Sequence, residues 1–226
     1  MKFDRRSYGG KFFRPAPQIH EGEGLPLVIV STAWGSQDSA GRVIDKMLEY
    51  LQLAEKDGEV TAPFPRMTCL TTAGNNLRIA ALLANSMLYK DENQQEYNTG
   101  CELFACFYSD NEVTWIQVGQ PNIVLCRNGE SPMPLGSFPD LVLDYEKNET
   151  ALSPLPSNLL GMENSLNLNI NSYRPAEGDQ LFLISRSRIP AKLFTMQSEK
   201  LNLDLVSRTL AEDRQDQPFW LGSISL

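Results

Sequence analysis

The spacing of apolar residues predicts the first three elements of the chain. The short β-branched run Leu25–Val30 is typical of a buried strand, and Gly35 follows it as a turn residue. Between residues 43 and 51, and again over Ala73–Tyr89, apolar residues recur three and four positions apart. This spacing places them on one face of a helix, so two amphipathic helices are expected after the strand.

The middle of the chain changes to a period of two, which is typical of strands. Glu102–Tyr108, Glu112–Val118 and Ile123–Cys126 alternate or are continuously apolar, and short polar turns separate them. Arg127–Glu130 contains an Asn-Gly pair, the strongest short hairpin signal. These three strands therefore predict an antiparallel meander.

The last third mixes loops, strands and short helices. Residues 131–162 hold five prolines and predict a long loop, after which Leu166, Leu168 and Ile170 alternate as a strand would. The remaining predicted elements are a strand over Gln180–Ser185, short helices over 190–195 and 199–210, and a terminal strand over Phe219–Leu226. The whole order predicts a mixed α+β domain with antiparallel sheets.

Composition narrows the classes of function. A net charge of -8 argues against nucleic-acid or anionic-membrane partners, and no apolar run reaches the roughly 18 residues of a membrane span. The N-terminus has no signal-peptide pattern, so a cytoplasmic protein is expected. His20 is the only histidine, which excludes a His-rich metal site, and the four cysteines form no CxxC pair, which favours buried free thiols over a metal site or disulfides.

Three segments of the chain, taken together, resemble the motifs of a known protein family, although no single residue in them is diagnostic. They are VSTAWGS over Val30–Ser36, VGQPNIVL over Val118–Leu125 and GDQLFLISRS over Gly178–Ser187. In order and spacing they resemble the V-A-D-G-M-G-G, V-G-D-S-R-A-Y-L and G-D-x-L-L-L-C-S-D-G segments of the metal-dependent serine/threonine protein phosphatases (type 2C, PPM family). Asp216-Gln217 stands where that family has Asp-Asn.

The resemblance implies a fold and a domain organisation. The fold would be α+β, a four-layer α-β-β-α sandwich of two antiparallel sheets flanked by helices. Residues 1–24 would be an N-terminal segment with room for one added strand. Residues 25–226 would form a single type 2C phosphatase-like domain.

The same resemblance implies a degenerate metal site. Enzymes of the family use two divalent cations held mainly by carboxylates, because Mg²⁺ and Mn²⁺ prefer oxygen ligands. Here Thr32 and Ala33 replace the Asp-Gly pair of the first segment, and Arg186 and Ser187 replace the Asp-Gly pair of the third. Asp216 is the only matching ligand. A threonine cannot bridge two dications and an arginine repels them, so we expect no catalytic residues and no bound metal.

These substitutions predict a catalytically inactive phosphatase-like protein, a pseudophosphatase. It would act by binding a protein partner in a phosphorylation-linked signalling module. The partner would be a kinase, a phosphoprotein or an active phosphatase.

Two other functions stay open at this point. One is an active phosphatase with a displaced or single-metal Mn²⁺ or Mg²⁺ site; its candidate ligands are Asp216, Asp213, Asp179, Glu21 and Glu23. The other is a phosphate-binding module around Arg186 and Arg188. For the pseudophosphatase we expect Arg186 to occupy the vacated metal position and to pair with Asp216, because a guanidinium can neutralise a carboxylate without an ion.

Overall fold

A computed structural model describes residues 2–22, 26–56, 63–138, 140–142 and 152–226. It contains two five-stranded antiparallel sheets, each with helices on one face. The chain divides into two compact units. The β3 unit, named for the strand Leu27–Trp34, comprises Pro15–Val118 and Asn158–Arg174. The β9 unit, named for the strand Gln180–Ser185, comprises Met1–Arg14, Gly119–Ser157 and Pro175–Leu226.

The sheet of the β3 unit has the strand order β2-β3-β4-β5-β8. Its elements are β2 (Gln18–Glu21), β3 (Leu27–Trp34), α1 (Asp38–Lys56), α2 (Thr72–Leu88), β4 (Gly100–Ser109), β5 (Glu112–Val118) and β8 (Asn169–Tyr173). A π-helical turn over Tyr89–Asn93 continues α2. Thr71 starts α2 as its N-cap, because its hydroxyl accepts a hydrogen bond of 3.1 Å from the Gly74 amide.

Alternation along β3 divides its side chains between the two faces of the sheet. Leu27, Ile29 and Ala33 belong to the apolar core that α1 and α2 complete. Successive strand residues point to opposite faces, so Thr32 and Trp34 lie on the face away from these helices. Gly35 ends the strand at a φ of 114°, a conformation that L side chains rarely adopt.

The sheet of the β9 unit has the strand order β1-β10-β9-β6-β7. Its elements are β1 (Lys2–Tyr8), β6 (Asn122–Cys126), β7 (Met133–Gly136), β9 (Gln180–Ser185), α3 (Leu203–Asp213) and β10 (Phe219–Ser225), with short 3-10 helices over Ala191–Thr195 and Ser198–Lys200. Phe182 and Ile184 of β9 pack with Val206 and Leu210 of α3 in one buried core. The helix side of β9 is therefore the side of its even-numbered residues.

The predicted fold class is confirmed: two antiparallel sheets are flanked by helices, and the predicted helices and most predicted strands are present. The predicted meander is wrong. β4 and β5 pair with each other, but β6 pairs with β7 and β9 in the other sheet. A strand's own pattern shows that it is buried without showing which strand pairs with it. Gly119, at a φ of 67°, marks the turn where the chain leaves one sheet for the other.

Three smaller predictions also differ from the structure. The predicted loop over 131–162 contains β7, a short edge strand. The sequence did not predict it because its Pro134 is atypical of strands. Leu166 and Leu168 precede β8 instead of lying in it, and Leu25 lies outside the described residues. The N-terminal segment contains two strands, because β1 pairs with β10 and β2 pairs with β3.

Candidate functional site

The Thr32 position of the β3 unit lies beside a buried carboxylate. Thr32 is directly opposite Glu102 in the antiparallel pairing of β3 and β4, so their side chains share one face of the sheet. Glu102 is 2% exposed and accepts a hydrogen bond of 3.1 Å from Trp34 Nε1. Ala33 belongs to the helix-side core instead. The site thus offers a hydroxyl and one carboxylate where the resemblance implies a bridging aspartate.

Sequence reasoning missed Glu102 as a functional candidate. The sequence pattern indicates Glu102 only as the first residue of a predicted strand. A signal was present, however, because Glu102 is the one charged residue in the strand GCELFACFYS. A buried carboxylate in a strand that is otherwise apolar is costly, and such residues are enriched at functional sites.

Arg186 is a buried structural residue of the β9 unit. Its side chain is 2% exposed, and its guanidinium donates hydrogen bonds to the Leu210 carbonyl near the end of α3 and, at 3.2 Å, to Asp213 Oδ2. Burial lowers the pKa of the guanidinium, and the charge of Asp213 opposes this shift. Arg186 continues the helix-side alternation of Phe182 and Ile184. It therefore caps α3, since a cation near a helix C-terminus compensates the partial charge of the last carbonyls.

The predicted pairing of Arg186 with Asp216 is wrong. The guanidinium pairs with Asp213, and the charge of Asp216 acts only at longer range. Asp216 is half-buried, and its backbone carbonyl accepts hydrogen bonds of 2.6 and 3.3 Å from the amides of Lys11 and Phe12. The alignment of the last loop could not determine which of two nearby aspartates meets the arginine. Asp213 is the last residue of α3, and Arg186 also binds the Leu210 carbonyl of the same helix, so Asp213 is the aspartate that meets the guanidinium.

Asp140 is a second residue that the sequence did not indicate as a functional candidate. The Ser187 hydroxyl donates a hydrogen bond of 2.8 Å to Asp140 Oδ2, and Asp140 is 3% exposed. The other oxygen of Asp140 accepts hydrogen bonds from the amides of Val142 (3.0 Å) and Leu155 (2.7 Å). Asp140 lies in the proline-rich stretch that was predicted to be a loop. Its neighbours in sequence gave no sign that it would be buried.

The remaining candidate ligands are used otherwise or lie at the surface. Asp179 forms a bidentate pair with Arg127, at 2.9 and 2.7 Å, and accepts a hydrogen bond of 2.9 Å from the Ala176 amide. Burial alone would raise the pKa of Asp179, but the hydrogen bonds and charge of Arg127, with the Ala176 amide, lower it overall. Glu21 and Arg188 are exposed, and Glu23 lies outside the described residues.

These residues do not fit two divalent cations. Arg186 places a buried cation where the resemblance implies a carboxylate, and Asp179 is neutralised within its own ion pair. Among the described residues no group of three or more His, Cys, Asp or Glu side chains is arranged to hold a metal. A dinuclear Mg²⁺ or Mn²⁺ centre needs more oxygen ligands of negative charge than this donor set supplies.

Comparison with solved structures identifies the fold. The chain is similar to the serine/threonine phosphatase PstP/Ppp of Mycobacterium tuberculosis (14% identity, 100% of this chain and 98% of that chain, TM-score 0.65). It is also similar to the PPM Ser-Thr phosphatase MsPP of Mycobacterium smegmatis, solved in complex with cacodylate (13%, 100% and 98%, 0.68). The fold is that of the PPM phosphatases.

A third structure with the PPM fold is PppA of Pseudomonas aeruginosa, described as a key regulatory component of T6SS (12%, 100% of this chain and 97% of that chain, 0.67). No family model and no curated protein matches the sequence. At these identities the likeness to solved structures defines the fold alone. In the part of the chain that the structure describes, no helix has the length and apolar character needed to cross a membrane.

Proposed function

We propose that this protein is a pseudophosphatase: a PPM-fold protein without phosphatase activity that acts by binding a protein partner. The observation that carries the proposal is the role of Arg186. The residue at the aspartate position of the third segment is a cation that is buried, ion-paired to Asp213 and hydrogen-bonded to the end of α3. A side chain with these partners supports the helix, and it is not available as a metal ligand.

The proposed context is phosphorylation-linked signalling in the cytoplasm. The proposed partner is a protein, of which a kinase, a phosphoprotein and an active phosphatase are the three candidate classes. The support is the PPM fold itself, since a domain that keeps its packing without metal ligands still has a surface to which another protein can bind. The proposal includes no metal cofactor.

Activity with and without metal tests the proposal. The purified chain would be incubated with p-nitrophenyl phosphate and with a phosphothreonine peptide in Mn²⁺, in Mg²⁺ and in chelator. We expect the same rate in all three and no excess over a protein-free blank. An active PPM phosphatase assayed in parallel shows that the conditions support turnover. Metal-stimulated turnover that disappears in Asp216→Asn would overturn the proposal.

A second candidate function rests on Glu102. Its buried carboxylate opposite Thr32 supports the alternative of a phosphatase with a displaced or single-metal site. Calorimetric titration with Mn²⁺ separates the two functions, with Glu102→Gln as the matched variant. The pseudophosphatase predicts no saturable heat in either protein. Saturable binding in the wild type that is lost in Glu102→Gln, together with turnover, would favour the enzyme.

A further inference from the structure

The edge strand β8 differs from the other three strands that end the two sheets. β1 carries Lys2, Asp4, Arg5 and Arg6, and β2 is only four residues long and ends in Glu21. β7 contains Pro134 and a register shift against β6. Charge, proline and irregular register are the usual features that keep an edge strand from pairing with another chain. β8, with the sequence NINSY, has none of them.

The stretch that contains β8 also has two chemically uniform faces. Leu166, Leu168 and Ile170 are half-buried against the helix-side core. Ile170 lies beside α2, because its Cγ2 would be in ordinary van der Waals contact, at 3.7 Å, with a Cβ at Gly74. The alternate residues are three exposed asparagines, Asn167, Asn169 and Asn171.

The ring contact of Tyr173 confirms which face carries the asparagines of β8. Tyr173 contacts Trp115 edge to face at a centroid distance of 6.1 Å. Trp115 is opposite Asn171 in the pairing of β5 with β8, so Asn169, Asn171 and Tyr173 share the face away from α2. Among the described residues, β5 is the strand that pairs with β8, and β8 forms the edge of its sheet.

We propose that the stretch Asn167–Asn171, which contains the first three residues of β8 and the two residues before it, pairs antiparallel with the same stretch of a second copy of this chain, about a two-fold axis between the two Asn169 residues. In this register Asn169 is opposite Asn169 of the other copy, Asn167 is opposite Asn171, and Leu168 is opposite Ile170. Amides therefore meet amides on one face, and aliphatic side chains meet aliphatic side chains on the other. A two-fold contact requires this kind of self-complementarity.

The chemistry of the strand favours a second copy over a foreign peptide. An asparagine amide is both donor and acceptor, so it can satisfy an identical amide. An uncharged strand carries no charge by which it could select a charged peptide, and two copies meet here without a like-charge pair. Pairing of one short edge buries less than a standard protein interface, so the dimer is expected to be weak, with a dissociation constant on the order of micromolar.

Sedimentation of the full chain from about 1 to about 100 µM tests the pairing, a range chosen to span that weak affinity. We expect a monomer–dimer equilibrium that Asn169→Lys and Asn169→Glu each weaken about tenfold, because like charges then face each other across the two-fold axis. An equimolar mixture of the two variants should restore the dimer. Asn128→Lys, which changes an exposed asparagine of the β9 unit, is the matched control and should dimerise as the wild type does.

A disulfide provides a positive signal that does not depend on disruption. Directly opposed residues in an antiparallel pair have Cα atoms roughly 4.5 to 5.5 Å apart, within the range that a disulfide spans. In a Cys69→Ser background, which removes the exposed thiol, Asn169→Cys should form an intermolecular disulfide under mild oxidation and Asn128→Cys should not. A wild type that stays monomeric at about 100 µM, or a mixture of charge variants that does not associate, would overturn the proposal. So would equal cross-linking at both positions.

Discussion

Two strand ends, that of β3 and that of β9, stand where the PPM resemblance places the residues of the metal site, and their residues have different surroundings. At the end of β3 a neutral threonine faces a buried carboxylate, Glu102, on the neighbouring strand. At the end of β9 the carboxylate position holds Arg186, whose charge is used within its own unit to cap α3 and to pair with Asp213.

The difference is one of packing: Arg186 is held by two partners in its own unit, whereas Thr32 is a neutral residue opposite one carboxylate. Thr32 could be replaced by a carboxylate with little rearrangement of the backbone, and the consequence would be electrostatic. Arg186 cannot be replaced without exposing what it now satisfies, namely a helix carbonyl and a carboxylate. The β3 end thus keeps one carboxylate, Glu102, whereas at the β9 end the charge of Arg186 is used in packing.

The largest effect on stability is expected from removing the side chain of Arg186. Arg186→Ala should lower the free energy of unfolding by about 2 to 4 kcal/mol, because the Leu210 carbonyl loses its buried donor and Asp213 loses its counter-charge. Arg188→Ala, two residues along and exposed, should change it by no more than about 0.5 kcal/mol. Urea denaturation of both variants measures the difference. Equal stabilities would show that Arg186 is not part of the packing.

The opposite strand end should respond to metal instead. Thr32→Asp places two carboxylates in opposition on one face of β3 and β4, which should destabilise the protein by about 2 kcal/mol in chelator. A divalent cation would relieve the repulsion, so excess Mn²⁺ should raise the melting temperature of Thr32→Asp and leave the wild type unchanged.

Thr32→Asn, which has nearly the same shape without the charge, is the control and should not respond to Mn²⁺. If Thr32→Asp also fails to respond, the carboxylate of Glu102 does not share the space that the new aspartate enters. Adding Arg186→Asp to Thr32→Asp is expected to worsen folding, because the second acid would face the Leu210 carbonyl and Asp213.

A smaller effect is expected at Asp179, whose charge is structural in the β9 unit. Asp179→Asn keeps the shape of the side chain but removes its charge, so it should cost about 1 to 2 kcal/mol at neutral pH. The pKa of Asp179 is lowered in the folded state. Its contribution is therefore present above the unfolded value near 3.8 and is lost as the pH falls through the lower folded value.

Acid titration of unfolding makes this contribution visible. The stability difference between wild type and Asp179→Asn should shrink as the pH falls below about 4. Asp45→Asn is the control, because Asp45 is an exposed residue of α1 and its replacement should leave the acid limb nearly unchanged. A difference that stays constant down to pH 2 would mean that Asp179 is not held ionised by Arg127.

Much of the fold could be predicted from the sequence because its signals are local. The helices over residues 38–56 and 72–88 follow from apolar spacing, and β5 and β9 were predicted at the bounds that the structure shows. The assignment of β6 to the second sheet could not be predicted in this way, because pairing between strands depends on residues far apart in the chain. β1 and β2 were missed as a pair of edge strands because edge strands carry polar residues and lack the alternation of a core strand.

The sequence predicts which residues occupy the candidate site, but it does not predict what their side chains contact. Motif order located Thr32 and Arg186. It could not show that Arg186 points to α3, because that follows from the packing of Leu210 and Phe182 on the same side of β9. Glu102 and Asp140 became visible only through burial, which depends on the tertiary structure. The predicted metal-site positions are Thr32, Ala33, Arg186, Ser187 and Asp216, and their roles in function remain proposals.

The contacts of Asp140 connect three segments of the chain through one side chain. One oxygen of its carboxylate binds the amides of Val142 and Leu155, and the Leu141 amide donates to the Leu155 carbonyl at 2.9 Å. One carboxylate thus binds Val142, Leu155 and Ser187, and Ser187 lies just past the end of β9. A change at this one side chain would therefore alter the contacts of three segments that lie apart in the sequence.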